Sequence, residues 1–315
     1  MQYTASRPFY SVILAVLSAL CAAGSSTSAA GFPGGVTPSD VFAAMDQVNR
    51  TLDHILEAKD RRSAPTPKSY EIKLQPSHVY QMAVACANRT AELSGSLERT
   101  QVKPGKYFPK DVREQAEIML GHLRIYAKFS KITGLPEDRG EFTGKKPSDV
   151  FALALQVFIK TSTLVGKAKI SPNEAFAQMT VCVGDAHTIL QSSNTPASTN
   201  SPKPQAGRKP ADVFQQALVA RTKLNGVRQR LGLAQTPTPK FNPDTKIKPI
   251  DVYIQAQVLL AELNQIKLAM ALENPAPEPY LTAGNTPTDV WAQAALLGHL
   301  ADQIAAEKAQ APESP

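Results

Sequence analysis

One short motif occurs eight times in this chain, and each copy has the composition of a helix start. The copies read TPSDVF, QPSHVY, FPKDVR, KPSDVF, SPNEAF, KPADVF, KPIDVY and TPTDVW. Their prolines follow one another at spacings of 38, 33, 38, 25, 38, 39 and 38 residues: Pro38, Pro76, Pro109, Pro147, Pro172, Pro210, Pro249 and Pro287. A recurring period of this length predicts a repeat protein.

The residue types of the motif suit the first turn of a helix. Proline is favoured at the first helical position, because the N–H that it lacks would have no partner there. Two residues later, seven copies carry an acid, which the positive end of the helix dipole stabilises: Asp40, Asp111, Asp149, Glu174, Asp212, Asp251 and Asp289. The second copy has His78 instead, and we expect that helix to start less firmly. Lys146, Lys209 and Lys248 precede their prolines, where a cation is mildly unfavourable.

Apolar residues recur 3, 7, 10, 14 and 17 positions after each proline, as in the seventh copy with Val252, Ala256, Leu259, Leu263 and Ile266. This spacing predicts a packed stripe along a helix. The second stripe position reads Met45, Ala83, Ala116, Ala154 and then Met179, Ala217, Ala256, Ala294. The repeated pattern of one methionine and three alanines indicates two groups of four helices.

We therefore predict an all-α, eight-helix repeat protein with two four-helix units, at residues 36–168 and 169–308, and a disordered tail at 309–315. A continuous helical solenoid is the alternative. The connections are long and rich in proline. Extended chain of that length would reach back along a whole helix, so that successive helices run parallel. Antiparallel helices with overhanging loops stay open as the other arrangement.

The N-terminal residues 1–30 have the pattern of a secretory signal peptide: Arg7, an apolar stretch, then small residues ending at Ala30. Cleavage is expected after Ala30 or, as the alternative, after Ala23. Cys21 raises a lipoprotein interpretation, but Leu20 stands where lipidation favours a small residue. No later segment is long and apolar enough to span a bilayer. We expect a periplasmic or secreted protein.

Two cysteines follow the signal segment, Cys86 and Cys182, each ten residues after its proline. Two interpretations stay open. They are buried free thiols that pack like small apolar residues, or, if the second and fifth helices are neighbours, they form a disulfide between the two units.

The connections also carry the candidate interaction surface. Five aromatic residues lie in them, and six cations lie in or beside them: Tyr70, Tyr107, Phe142, Phe241 and Tyr280, with Lys103, Lys106, Lys110, Lys203, Arg208 and Lys209. The rings either pin each connection to the bundle or contact a partner. The cations either give a solvated surface or attract an anionic lipid headgroup, a polysaccharide or an acidic partner.

The mature sequence has no nucleophile elbow, phosphate-binding glycine loop or dinucleotide fingerprint. Its histidines are not spaced as metal ligands, and its lysines are not interleaved with a stacking platform for nucleic acid. We predict no enzymatic activity, no cofactor, no metal and no nucleic-acid partner. The expected function is a helical-repeat scaffold or adaptor for protein partners in the cell envelope. The alternative is a bundle that binds an apolar small molecule or an anionic envelope polymer.

Overall fold

A computed structural model describes residues 35–66, 73–167, 169–193 and 206–310. These residues form eight α-helices and no strand, and every helix begins at a motif proline. The helices are α1 Pro38–Ala58, α2 Pro76–Leu93, α3 Pro109–Phe129, α4 Pro147–Leu164, α5 Pro172–Ser192, α6 Pro210–Arg230, α7 Pro249–Ala269 and α8 Pro287–Gln310. The all-helical repeat fold is confirmed. The predicted signal peptide lies outside the described residues, as does the predicted tail beyond Gln310.

Each helix starts with a hydrogen bond that reaches backwards along the chain. The side chain of the acid, two residues after the proline, accepts a hydrogen bond from the backbone N–H of the residue that precedes the proline. For example, Asp149 accepts from Lys146 at 2.8 Å. In α2 the Nδ1 atom of His78 accepts the N–H of Gln75 at 3.1 Å. The residue before the proline needs only its backbone N–H for this bond. That accounts for the lysines at three of these positions, where a side-chain cap is missing.

Helices α1 and α2 each pack against α3 and α4, while α5 and α6 each pack against α7 and α8. Helix α2 also packs against α7, which joins the two sets. Because α1 does not pack against α2, a solenoid in which each repeat contacts only its neighbours does not describe these contacts. The described residues from Val36 onward form one compact unit, so the boundary between residues 168 and 169 stays a prediction.

The helices within a set are parallel. The first-turn prolines of α5 to α8 line one small cavity of about 10 Å³, so these four helices start at the same end. In the first set, residues 131–146 run back along α1. Thr133 accepts a hydrogen bond from His54 at 2.8 Å if that ring nitrogen carries the proton, Glu137 accepts one from Gln47 at 2.9 Å, and Lys145 donates to Ser39 at 3.1 Å. The long connections therefore return the chain to the starting end.

The second set runs opposite to the first. Only residues 165–171 separate α4 from α5, so α5 begins near the end where α4 finishes. Side-chain contacts agree with this direction: Arg89, near the end of α2, pairs with Glu174 in the first turn of α5. The short repeat step of 25 residues is thus the place where the helix direction reverses.

The predicted apolar stripes fill the two cores. All five stripe residues of α7 are at most 2% exposed, and the six stripe alanines are fully buried. Tyr126, the last stripe position of α3, is half-buried, and its neighbour Ala127 takes the core position. None of the described helices combines the length and apolar character of a membrane span.

Candidate binding cleft

A cleft of about 310 Å³ lies where the two helix sets meet. Its walls are α2, α5 and α7, and the connections 94–108 and 270–286 flank its opening. Helices α2 and α5 face each other here without packing directly, since α2 packs against α7 instead. Both α2 and α5 pack against α7, and the cleft is the space between α2 and α5.

The floor of the cleft carries two stacked rings and a largely buried cation. Phe158 of α4 and Tyr253 of α7 stack with their centroids 5.2 Å apart. The guanidinium of Arg89 lies over the Phe158 ring at 5.3 Å, a cation–π contact. Burial raises the pKa of Tyr253 to about 12, so its hydroxyl stays protonated at neutral pH.

Ion pairs connect the walls. Arg89 contacts Glu174 at 3.0 Å and Glu92 at 3.6 Å, and Lys167 donates a hydrogen bond to Glu92. Burial alone would raise the pKa of Glu92, but Lys167 and Arg89 together lower it, so this carboxylate is ionised at neutral pH. The other oxygen of Glu174 accepts the N–H of Ser171 at 3.0 Å, which ties the pair to the start of α5.

The positive and negative charges that line the cleft are equal in number. Three cations and three carboxylates are present: Arg89, Arg99 and Lys167, with Glu92, Glu174 and Glu278. The other polar lining groups include three buried amides, of which Gln81 donates to Gln257 at 2.9 Å. Gln81 and Gln178 are 8% exposed. The Oε1 atom of Gln81 has no hydrogen-bond partner in the described part of the chain.

The rim of the cleft is built by the α7–α8 connection. Pro277 packs onto α5 at Gly184, where an added Cβ would lie 2.9 Å from the proline ring. Gln101 of the opposite connection donates to Glu278 at 2.8 Å. Beside them, Tyr280 is 80% exposed and Leu281 is 56% exposed. The rim thus presents apolar surface to solvent next to a polar floor.

A second polar feature, which we call the charge cluster, lies towards the N-terminal end of α2. It consists of His78, Arg221, Arg228 and Glu262, whose side chains are at most 1% exposed. Glu262 accepts from Arg221 at 2.9 Å and lies 3.6 Å from His78 and 3.9 Å from Arg228. Burial alone would raise the pKa of Glu262, but Arg221 and His78 hold it below its ordinary value. The charge cluster links α2, α6 and α7.

The predicted aromatic residues do not converge on one surface. Tyr107 stacks on Tyr80 at 3.9 Å, and the Phe142 and Phe241 rings lie 4.8 Å and 6.2 Å from rings of α1 and α6. These three rings contact the helices beside their connections, while Tyr280 is exposed. Tyr70 lies outside the described residues.

The predicted cations are also dispersed. Lys103, Lys106 and Lys110 are exposed around the start of α3, and Lys209 is exposed at the start of α6. The Arg208 guanidinium lies over the Trp291 ring at 4.6 Å, so it contacts the protein itself. Lys203 falls outside the part of the chain that the structure describes.

The structure has no disulfide between Cys86 and Cys182. Both thiols are free and buried, and they belong to different cores. Cys86 donates to the carbonyl of Ala154 at 3.2 Å, and Cys182 donates to that of Ala256 at 3.4 Å. The cleft separates α2 from α5, which removes the helix contact that a disulfide required. Burial raises the pKa of both thiols, so they are protonated at neutral pH.

Sequence reasoning missed the residues that form the cleft. Arg89, Phe158, Glu174 and Tyr253 come from four helices, and no local pattern distinguishes them. A weak signal exists in α7, where polar residues such as Gln257 and Glu262 are interspersed with apolar residues on nearly every side of the helix. A polar residue inside such a helix needs a buried partner, which points to a second packed surface.

Among the described residues, no group of three or more histidine, cysteine, aspartate or glutamate side chains is arranged to hold a metal ion. Comparison with protein-family models, with curated proteins and with solved structures finds no match for this chain.

Proposed function

We propose that this chain is a non-enzymatic, exported helical-repeat scaffold or adaptor that holds a protein partner in the periplasm or cell envelope. The cleft carries the proposal: a buried floor of rings and amides lies beside a rim with exposed Tyr280 and Leu281. Protein interfaces are enriched in aromatic residues and combine apolar contacts with direct hydrogen bonds, and the cleft offers groups for both. Export is supported by the sequence of residues 1–30, and N-terminal sequencing of the mature protein tests it.

The surrounding structure suits a scaffold because it holds the cleft walls in place. Arg89 and Glu174 join α2 to α5, while the charge cluster and the Gln81–Gln257 pair join α2 to α7. A preformed site loses less conformational entropy when a partner binds. The two helix sets therefore supply rigidity, and the groove between them supplies the contact.

Site-specific photocrosslinking in the native host tests the proposal. A benzophenone amino acid replaces Tyr280 at the rim, and in the control it replaces Phe129, which is 79% exposed at the end of α3 and does not line the cleft. We expect one discrete protein adduct from position 280 and none from position 129. No adduct at position 280, or the same adduct from both positions, would contradict the proposal.

The exposed lysines at the start of α3 favour a second candidate, an anionic envelope polymer or lipid headgroup. Co-sedimentation with anionic and with neutral vesicles separates it from the scaffold. Binding that depends on Lys103, Lys106 and Lys110 and disappears in salt would favour the polymer or lipid surface. A partner held in the cleft should be insensitive to these lysines.

A further inference from the structure

We propose that the cleft binds an extended, uncharged segment of the partner protein, about five residues long, with small or proline side chains. This inference rests on the proposed scaffold function and names the part of the partner that the scaffold holds. Four properties of the cleft support it: its length, its free hydrogen-bonding capacity, its charge balance and the chain that already lines it.

The dimensions of the cleft match a short extended chain. On α2 the lining residues run from Gln81 to Glu92, which at 1.5 Å per residue is about 16 Å. An extended chain covers that length in about five residues. The cavity of about 310 Å³ is near the lower limit for ligand pockets, which favours small side chains.

The amides of the cleft suit a peptide backbone, which offers both N–H donors and C=O acceptors. Gln81 and Gln178 line the cleft and are more than nine-tenths buried. The Oε1 atom of Gln81 is buried without a partner among the described residues, and an unsatisfied acceptor of this kind is costly. A peptide N–H would satisfy this oxygen. A side-chain amide also provides donors for a peptide carbonyl.

The charges of the cleft disfavour a charged segment. Between the walls, the carboxylates of Glu92 and Glu174 are already paired with Lys167 and Arg89. The other two lining charges, Arg99 and Glu278, are exposed at the opening, where Glu278 accepts a hydrogen bond from Gln101. A charged residue that entered between the walls would lose water, and the charges there already have partners, so its burial is unfavourable. The same balance gives no net attraction for a polyanion.

A proline-rich segment of the chain itself already lines the opening of the cleft. Residues 276–279, Ala-Pro-Glu-Pro, have no helix or strand structure, and Pro277 packs closely onto Gly184 of α5, while Glu278 is exposed. Within the described chain, residues 273–285 form no backbone–backbone hydrogen bond. Proline-rich segments keep this extended form at low entropic cost, which makes them suitable partners for a narrow groove.

Titration of the full chain with three capped hexapeptides, followed by NMR, tests the inference. The probe is acetyl-Ala-Pro-Ala-Ala-Pro-Ala-amide, and the controls replace its alanines with glutamate or lysine. We expect saturable shifts of the Gln81 side-chain amide with the uncharged probe, and at least about tenfold weaker binding of both charged peptides. Absence of saturable binding, or tighter binding of a charged peptide, would overturn the inference.

Two variants locate the binding. Ala85→Trp fills the cleft and should weaken binding at least about tenfold, whereas Ala43→Trp, on a half-buried alanine of α1, should leave it unchanged. Gln81→Leu keeps the side-chain size and should weaken binding about fivefold. Circular dichroism confirms that each variant folds, and Gln81→Leu decides the question if Ala85→Trp does not fold. Binding that neither folded variant changes would place the peptide elsewhere and overturn the inference.

The two proposals fail in different ways. If position 280 crosslinks a partner but the uncharged peptide does not bind, the scaffold function stands and the segment class is wrong. If position 280 gives no adduct, the scaffold function is wrong regardless of whether the peptides bind.

Discussion

One side chain in the first turn of each helix accepts the backbone N–H of the residue before the motif proline. Either a carboxylate or an imidazole can fill this role, because both accept a hydrogen bond. Seven copies of the motif use a carboxylate and the second uses His78, whose Nδ1 must be unprotonated to accept the N–H of Gln75. The Nε2 atom of the same ring faces Glu262 in the charge cluster. His78 therefore links the start of α2 to the contact between the helix sets.

The reach-back carboxylates predict a pH-dependent contribution to stability. Hydrogen bonds from the backbone and hydroxyl of Thr286 lower the pKa of Asp289 below the ordinary 3.8. The carboxylate therefore stabilises the folded state above that pH, and the contribution is lost as the pH falls through the folded pKa. We expect Asp289→Ala to cost about 1 kcal/mol at neutral pH, and we expect this cost to shrink as the pH falls below 3.8.

Urea unfolding at successive pH values measures this difference. Asp244→Ala, in the exposed connection between α6 and α7, serves as the control and should change stability little at any pH. An Asp289→Ala effect that stayed constant into acid would show that the carboxylate does not act through its charge.

Glu262 is the second residue whose environment makes a prediction. It is fully buried against Arg221, so Glu262→Gln removes the negative charge from a buried ion pair and should cost about 3–5 kcal/mol. Lys223, which lies in α6 with Arg221, pairs with Asp302 at 2.6 Å on the surface. Asp302→Asn should therefore cost less than about 1 kcal/mol. Urea denaturation compares the two variants, and equal losses would contradict the assigned role of burial.

At the scale of elements, the connections determine how the helices are arranged. Local chemistry allowed every helix start to be predicted, because proline, the reach-back acid and the stripe act within a few residues. The direction of the helices stayed open, since it depends on whether a connection adheres to a helix. Contacts such as those of Gln47 and His54 with residues 133–137 settle it.

The contact between Pro277 and Gly184 gives a prediction for the α7–α8 connection. In Gly184→Ala the added methyl group would lie 2.9 Å from a rigid proline ring, so the connection must move away. We expect chymotrypsin to cleave after Tyr280 several-fold faster. Gly121→Ala and Gly226→Ala are matched controls, because no atom of the described residues lies within 4 Å of their new methyl groups apart from the neighbouring backbone of their own helix.

Each control should gain up to about 1 kcal/mol, since alanine favours a helix over glycine. The cleavage rate of the controls should stay that of the parent chain. Unchanged cleavage in Gly184→Ala would mean that this contact does not hold the connection.

For the whole molecule, α7 is the element that joins the two helix sets. Ile250, Tyr253, Ile254 and Val258 pack in the first core, whereas the stripe residues of α7 pack in the second. A helix that contributes to both cores couples their unfolding. We therefore expect one cooperative transition for the entire helical region.

Two probes test this coupling in one urea titration. Trp291, the single tryptophan, lies in α8 and reports on the second set, while far-ultraviolet circular dichroism reports on all eight helices. The two curves should have the same midpoint. A second step in circular dichroism that tryptophan fluorescence does not follow would show that the sets unfold independently.

The sequence by itself determined the number, the starting points and the buried stripes of the helices, because these follow from interactions between residues at most a few turns apart. It left open whether Cys86 and Cys182 are bonded, and it did not indicate the cleft. Only the tertiary structure decided that the helices of each set are parallel, that the sets oppose each other and that Arg89, Phe158, Glu174 and Tyr253 meet. These residues lie up to 164 positions apart in the chain. Whether these residues come into contact depends on how the connections and α7 pack, and no local sequence pattern predicts that packing.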